Sequence, residues 1–160
     1  MKNVLLDTST YSHFARAGHY GLLESVFKDR LHVLSLAVSE AERGTLKYPE
    51  LGALSTSVAD GKTIVINELT DEEYDIMAAL PNKFSMTDKA CIAVAKERAM
   101  VIASDDEDLL IEARARDIEA YETEDVLETA AKTIGADRAR AVLADMVKTG
   151  ANKGFRELKV

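Results

Sequence analysis

The sequence predicts an α/β domain, a parallel sheet of about five strands sandwiched by helices in three layers. Three observations carry that prediction. Short, nearly uninterrupted apolar runs alternate with longer stretches of helical period, which is the pattern of strands buried on both faces. There is no internal repeat and no low-complexity segment. A chain of 160 residues, 47% of them hydrophobic, is long enough for one sizeable core and short for two.

The elements follow in order. "KNVLL" reads as the first strand, and "TYSHFARA" and "YGLLESVF" as helical stretches meeting at the Gly18 to Gly21 break. "LHVLS" is a second strand, "LAVSEAERG" a helix closing at Gly44, and "TLKYPELG" a turn or loop broken by Pro49. "KTIVIN" is the third strand. In "TDEEYDIMAAL", Thr70 stands three residues before Glu73, the spacing of a capping box, and Pro81 follows as a stop. "SMTDKACIAVAKERA" is a long apolar helix, "MVIAS" a fourth strand, "DEDLLIEARAR" a helix and "IEAY" a fifth strand. "TEDVLETAAKTIG" and "ADRARAVLADMVKTG" are two helices joined at Gly135.

Composition narrows the classes. The single cysteine, Cys91, excludes an intrachain disulfide, and the apolar run Val4, Leu5, Leu6 stops at Asp7, short of a signal-peptide core. No segment is apolar enough for long enough to span a bilayer, so no membrane partner and a cytoplasmic location are expected. The net charge of -8 argues against a general polyanion binder. Basic residues nevertheless outnumber acids from Arg138 onward, a pattern that by itself reads as a solvated helix face.

In parallel sheets, ligands gather at the carboxyl ends of the strands. Asp7 follows the first strand there, and Ser104, Asp105 and Asp106 follow the fourth. Glu40 and Asp88 lie on helices that approach the same edge. Each has a plain structural reading: Asp7 or Ser9 as an N-cap, Ser85 and Asp88 as a capping box, the "DDED" acids as complements to a helix dipole, Glu40 as an exposed helix residue. Together they are harder to explain so, because converging carboxylates repel one another unless a cation joins them. An all-oxygen set suits Mg²⁺ or Mn²⁺ and hence phosphoryl chemistry. His13, His19 and His32 are scattered, and Cys91 is a small apolar residue, so no zinc set is in view.

In sequence order, "LLDTS", "VSEAERG", "TDKACIAVAKE" and "VIASDDEDL" resemble the PIN-domain nucleases over roughly the first three quarters of the chain. That resemblance implies a PIN-like nuclease domain over 1–122, with 123–160 a helical C-terminal extension of the same domain. It implies a Mg²⁺- or Mn²⁺-dependent endoribonuclease acting on single-stranded RNA, with Asp7, Glu40, Asp88 and Asp106 catalytic and Asp7, Asp88, Asp105 and Asp106 at the metal. Many members read T-x-D at the last position, which selects Asp106, with Ser104 in place of the threonine; others carry a double aspartate, which keeps Asp105. Glu42, two residues beyond Glu40, is the alternative second acid. Many PIN proteins are VapC-type toxins, so an antitoxin protein and a homodimer are candidate partners, although the helical extension resembles longer PIN proteins. In a nuclease the basic C-terminal residues Lys148, Lys153 and Arg156 would hold the RNA backbone.

Two rivals remain. A catalytically silent PIN-fold module would bind RNA or regulate without cleaving. A haloacid-dehalogenase-like phosphatase also uses strand-end aspartates, but its D-x-D start fails here, where Ser9 stands in place of the second aspartate.

Overall fold

The computed structural model describes residues 1–151 and 153–160. Its centre is a five-stranded, all-parallel sheet of β1 (Val4–Leu6), β2 (Leu31–Leu34), β3 (Ile64–Ile66), β4 (Val101–Ala103) and β5 (Ala120–Tyr121), in the order β3-β2-β1-β4-β5. The predicted α/β class and strand number are therefore those of the structure. Val4, Leu5 and Leu6 are all buried because β1 is flanked on both edges and covered on both faces, whereas Ile64 on the outer strand β3 is 43% exposed.

The helices are α1 (Thr8–Arg16), α2 (Tyr20–Phe27), α3 (Ser35–Gly44), α4 (Ala53–Ala59), α5 (Asp71–Ala79), α6 (Met86–Glu97), α7 (Glu107–Ala115), α8 (Thr123–Ile134) and α9 (Ala136–Lys148). They complete the three layers. Helix α6 packs on α5 and α7, while α1 packs on α2, α3, α4 and α9, and α2 on α8. The run Ala90 to Ala95 in α6 is buried without a break, and its small side chains let the helix lie close to β2 and β4. The expected capping boxes at Thr70 with Glu73 and at Ser85 with Asp88 are both formed. Gly135, at φ +89, makes the joint between α8 and α9 in a conformation an L side chain rarely adopts.

Two stretches differ from the sequence reading. The "TLKYPELG" loop contains a 3-10 turn at Pro49–Gly52, and it leads straight into α4, which the sequence reading leaves unassigned. The C-terminal basic residues are not a solvated face throughout. Lys153 bonds to Asp105, Glu122 and Glu124, and Arg156 to Asp125 and Glu128. Residues of 123–160 also contribute to the one core, through Val126, Leu127, Val142, Met146 and Leu158.

The topology positions the site. The chain runs from β1 outward to β2 and β3 on one side, then returns to place β4 and β5 on the other. The strand order therefore switches between β1 and β4, and their carboxyl ends open a crevice where ligands collect in sheets of this kind.

Candidate functional site

Asp7 leaves β1 at that crevice, and its backbone N–H donates to the Ala103 carbonyl at the end of β4 (2.9 Å). It holds the N-cap position of α1 in extended backbone, yet its side chain makes no capping hydrogen bond. Oδ2 instead accepts from the Ser104 hydroxyl (2.7 Å) and the Ser9 hydroxyl (2.9 Å). The residue is only 5% exposed. Burial pushes its pKa up, hydrogen bonds from Ser104 and Ser9 pull against that, and the charge of Asp88 adds to the rise.

Glu40 reaches the same place from α3. Its Oε2 accepts from Thr8 (3.0 Å) and its Oε1 from Thr87 (2.7 Å), so it spans the residue after Asp7 and the residue before Asp88. Glu42 faces elsewhere, accepting from Ser55 at 3.4 Å. Helix geometry explains the difference, since two positions along a helix turn a side chain by more than half a circle.

Asp88 sits in the first turn of α6, where its N–H and one carboxylate oxygen, Oδ2, complete the box with Ser85. Its pKa is raised, first by burial and then, against the Ser85 hydrogen bonds, by the charges of Asp106 and Glu40. Asp106 caps α7, with Oδ1 accepting from Leu109 N–H (3.2 Å), and its own N–H donates to Ser104 Oγ (3.0 Å). Capping and cation binding are compatible here, because the described caps engage one oxygen of Asp88 and one of Asp106.

The structure thus brings Asp7, Glu40 and Asp106 into electrostatic range of Asp88. It does not bring Asp105 with them. Asp105 Oδ1 accepts from Thr123 N–H (2.8 Å) and Lys153 Nζ (3.0 Å), while Oδ2 bonds His13 Nδ1 (2.7 Å) and Thr123 Oγ1 (2.5 Å). Those four bonds use the carboxylate's whole acceptor capacity. The expectation that Asp105 shares a metal with Asp7 is corrected accordingly. Burial alone would raise its pKa, but the bonds from His13 and Thr123 and the Lys153 charge hold it well below the usual carboxylate range.

Asp105, Glu122 and Glu124 form a second acidic cluster, with one oxygen from each within 4.8 Å of the others, close enough to hold a metal ion. A lysine ammonium already bonds all three. Among the described residues this is the one three-acid set so closely spaced; the oxygens around Asp7 lie farther apart.

The contrast between the clusters is in their counter-ions. Three acidic residues are buried as whole residues among the described ones: Glu73, Glu124 and Asp7. Glu73 is paired with Arg98 (2.6 Å) and Glu124 with Lys153. Among the described residues, no lysine, arginine or histidine side-chain nitrogen lies within 4.0 Å of a carboxylate oxygen of Asp7, Glu40, Asp88 or Asp106. Hard oxygen donors without a cation are the donor type that Mg²⁺ or Mn²⁺ takes, so Asp7, Asp88 and Asp106, with Glu40 beside them, are candidate ligands. The hydroxyls of Thr8 and Thr87 are site residues that sequence reasoning passes over; their signal is adjacency, in "DT" and "TD".

The fold and this acidic carboxyl edge define a three-layer α/β domain with a candidate metal centre. No family model matches the chain, and no curated protein does. Among solved structures it is similar to PAE2754 from Pyrobaculum aerophilum, with 22% identity and a TM-score of 0.58 over 81% of this chain and 98% of that one. That similarity is one of fold.

Proposed function

We propose that the chain is a Mg²⁺- or Mn²⁺-dependent endoribonuclease of the PIN type that hydrolyses phosphodiester bonds of single-stranded RNA. The observation that supports this reading best is the set of four acids without a counter-ion at the switch point between β1 and β4. Asp7, Asp88 and Asp106 would hold the ion. Such an ion acidifies an attacking water and shields charge on the departing oxygen. Ser9 and Ser104 orient the Asp7 carboxylate through the hydrogen bonds they donate. Glu40, fixed by Thr8 and Thr87, is placed to steer a water and accept its proton. The resemblance also makes an antitoxin protein and a second copy of this chain the partners to look for, and the cytoplasm the place.

The silent-module reading is favoured by one observation, the spacing of these carboxylates beyond that of a closed ligand set. Incubating the protein with end-labelled single-stranded RNA in Mn²⁺, Mg²⁺ or EDTA separates the two. Cleavage that needs metal supports the nuclease; binding without cleavage in any condition supports the silent module.

A further inference from the structure

Lys153 lies on the last stretch of the chain, which is strapped across α8 and the end of β4. Its ammonium bonds Asp105 Oδ1 at 3.0 Å, Glu122 Oε1 at 3.1 Å and Glu124 Oε2 at 2.5 Å. The side chains of Asp105 and Glu124 are 2% exposed, so this cation, together with the bonds His13 and Thr123 make to Asp105, compensates charges removed from water. The strap has other anchors. The Arg156 backbone N–H donates to Glu124 Oε1 (3.0 Å), the Lys159 N–H to Glu128 (2.8 Å), the Arg156 guanidinium pairs with Asp125 (2.9 Å), and Phe155 packs edge-on against His13. Lys153 is therefore held in place by its neighbours as well as by the acids it meets.

We propose that Lys153 is a tethered cation that occupies the Asp105–Glu122–Glu124 cluster and so confines a divalent ion to the Asp7, Glu40, Asp88 and Asp106 cluster one residue away in sequence. The second half of that statement rests on the function proposed above. The first half does not. Three carboxylate oxygens within 4.8 Å of one another have the spacing of a cation site, whereas Asp7, Glu40, Asp88 and Asp106 form no ion pair with a described lysine, arginine or histidine. A divalent ion offered to the folded chain thus faces two acidic clusters that adjoin at Asp105 and Asp106, and the ammonium decides between them by filling one. Lysine suits the role, because a compact ammonium with three donors meets three acceptors converging from different elements.

The test is the number of Mn²⁺ ions bound per chain, read from the loss of the free-ion electron paramagnetic resonance signal. Lys153→Met should bind one ion more than the wild type, whereas Lys153→Arg should match the wild type. Adding Glu122→Gln and Glu124→Gln to Lys153→Met should abolish the increment. Equal stoichiometry in Lys153→Met and wild type, or an increment that survives the two glutamines, would overturn the proposal. Should Lys153→Met fail to fold, the wild type carrying only Glu122→Gln and Glu124→Gln decides: unchanged Mn²⁺ stoichiometry is expected, and a lost ion would mean that the cluster binds metal despite Lys153. Asp7→Asn distinguishes this from the nuclease reading, since it should lower the wild-type stoichiometry while leaving the Lys153→Met increment intact.

Discussion

Asp7 and Ser104, ninety-seven positions apart, are joined by a buried hydrogen bond of 2.7 Å across the ends of the two strands that flank the switch point. The same Ser104 hydroxyl accepts from the backbone of Asp106. One serine therefore sets the placement of two acids, and the two aspartates that follow it have opposite fates.

Asp106→Asn should abolish metal-dependent cleavage with little loss of stability, since asparagine caps a helix about as well as aspartate. Asp105→Asn should do the reverse. It leaves Lys153 among fewer charges and weakens four hydrogen bonds, at a cost of about 3 kcal/mol, while the cluster around Asp7 keeps its acids. Parallel cleavage assays and denaturant melts check both halves.

The two buried aspartates also predict opposite dependences on pH in EDTA. Asp105 has a folded pKa below its unfolded value of about 3.9, so its contribution is complete above that value and is lost as the pH falls toward the folded one. Asp7 has a folded pKa above the unfolded value, so its ionisation costs stability as the pH rises through the raised value. The melting temperature of Asp7→Asn should gain on that of the wild type as the pH climbs from about 4 to neutrality. Asp105→Asn should approach the wild type only as the pH drops below about 4.

A control away from the site is Arg98, which pairs with Glu73, a side chain fully removed from solvent, and also donates to the Glu68 carbonyl. Burial works to raise the Glu73 pKa, but the bonds from Arg98 and the Thr70 backbone outweigh it and hold the carboxyl down. Arg98→Ala should destabilise by about 2 kcal/mol, tempered by the partial exposure of the guanidinium, and leave cleavage by the remaining folded protein unchanged. Urea unfolding at neutral pH reads the first effect, and cleavage well below the melting temperature the second.

Much of this molecule was legible in its sequence because the signals are local. Thr70 with Glu73 and Ser85 with Asp88 mark helix starts within three residues, and "VLL" and "VIA" are apolar runs that only a covered strand explains. Helix phase says that Glu40 and Glu42 face different ways, but only the bonds from Thr8 and Thr87 show that Glu40 is the one beside Asp7 and Asp88. Helix α4, "ALSTSVA", gives no such signal. It buries Leu54 and Ser57, the latter through bonds to Glu24 and Thr63 that no local pattern announces. The division of labour between Asp105 and Asp106 was hidden for a related reason. It depends on Thr123 and Lys153, eighteen and forty-eight positions away from Asp105, and on a tail whose charges read as surface until their partners on α8 are seen.

The central claim is that Asp7 ends its strand to meet a cation, and thermal melts of wild type and Asp7→Asn, each with Mn²⁺ and with EDTA, test it most directly. In EDTA the variant should melt at or above the wild type, because it removes a buried charge that Asp88 repels. In Mn²⁺ at roughly one hundred times the dissociation constant the wild type should gain about 2.7 kcal/mol, and the variant should lose most of that gain. An equal Mn²⁺ shift in both proteins would contradict the account and place the metal elsewhere.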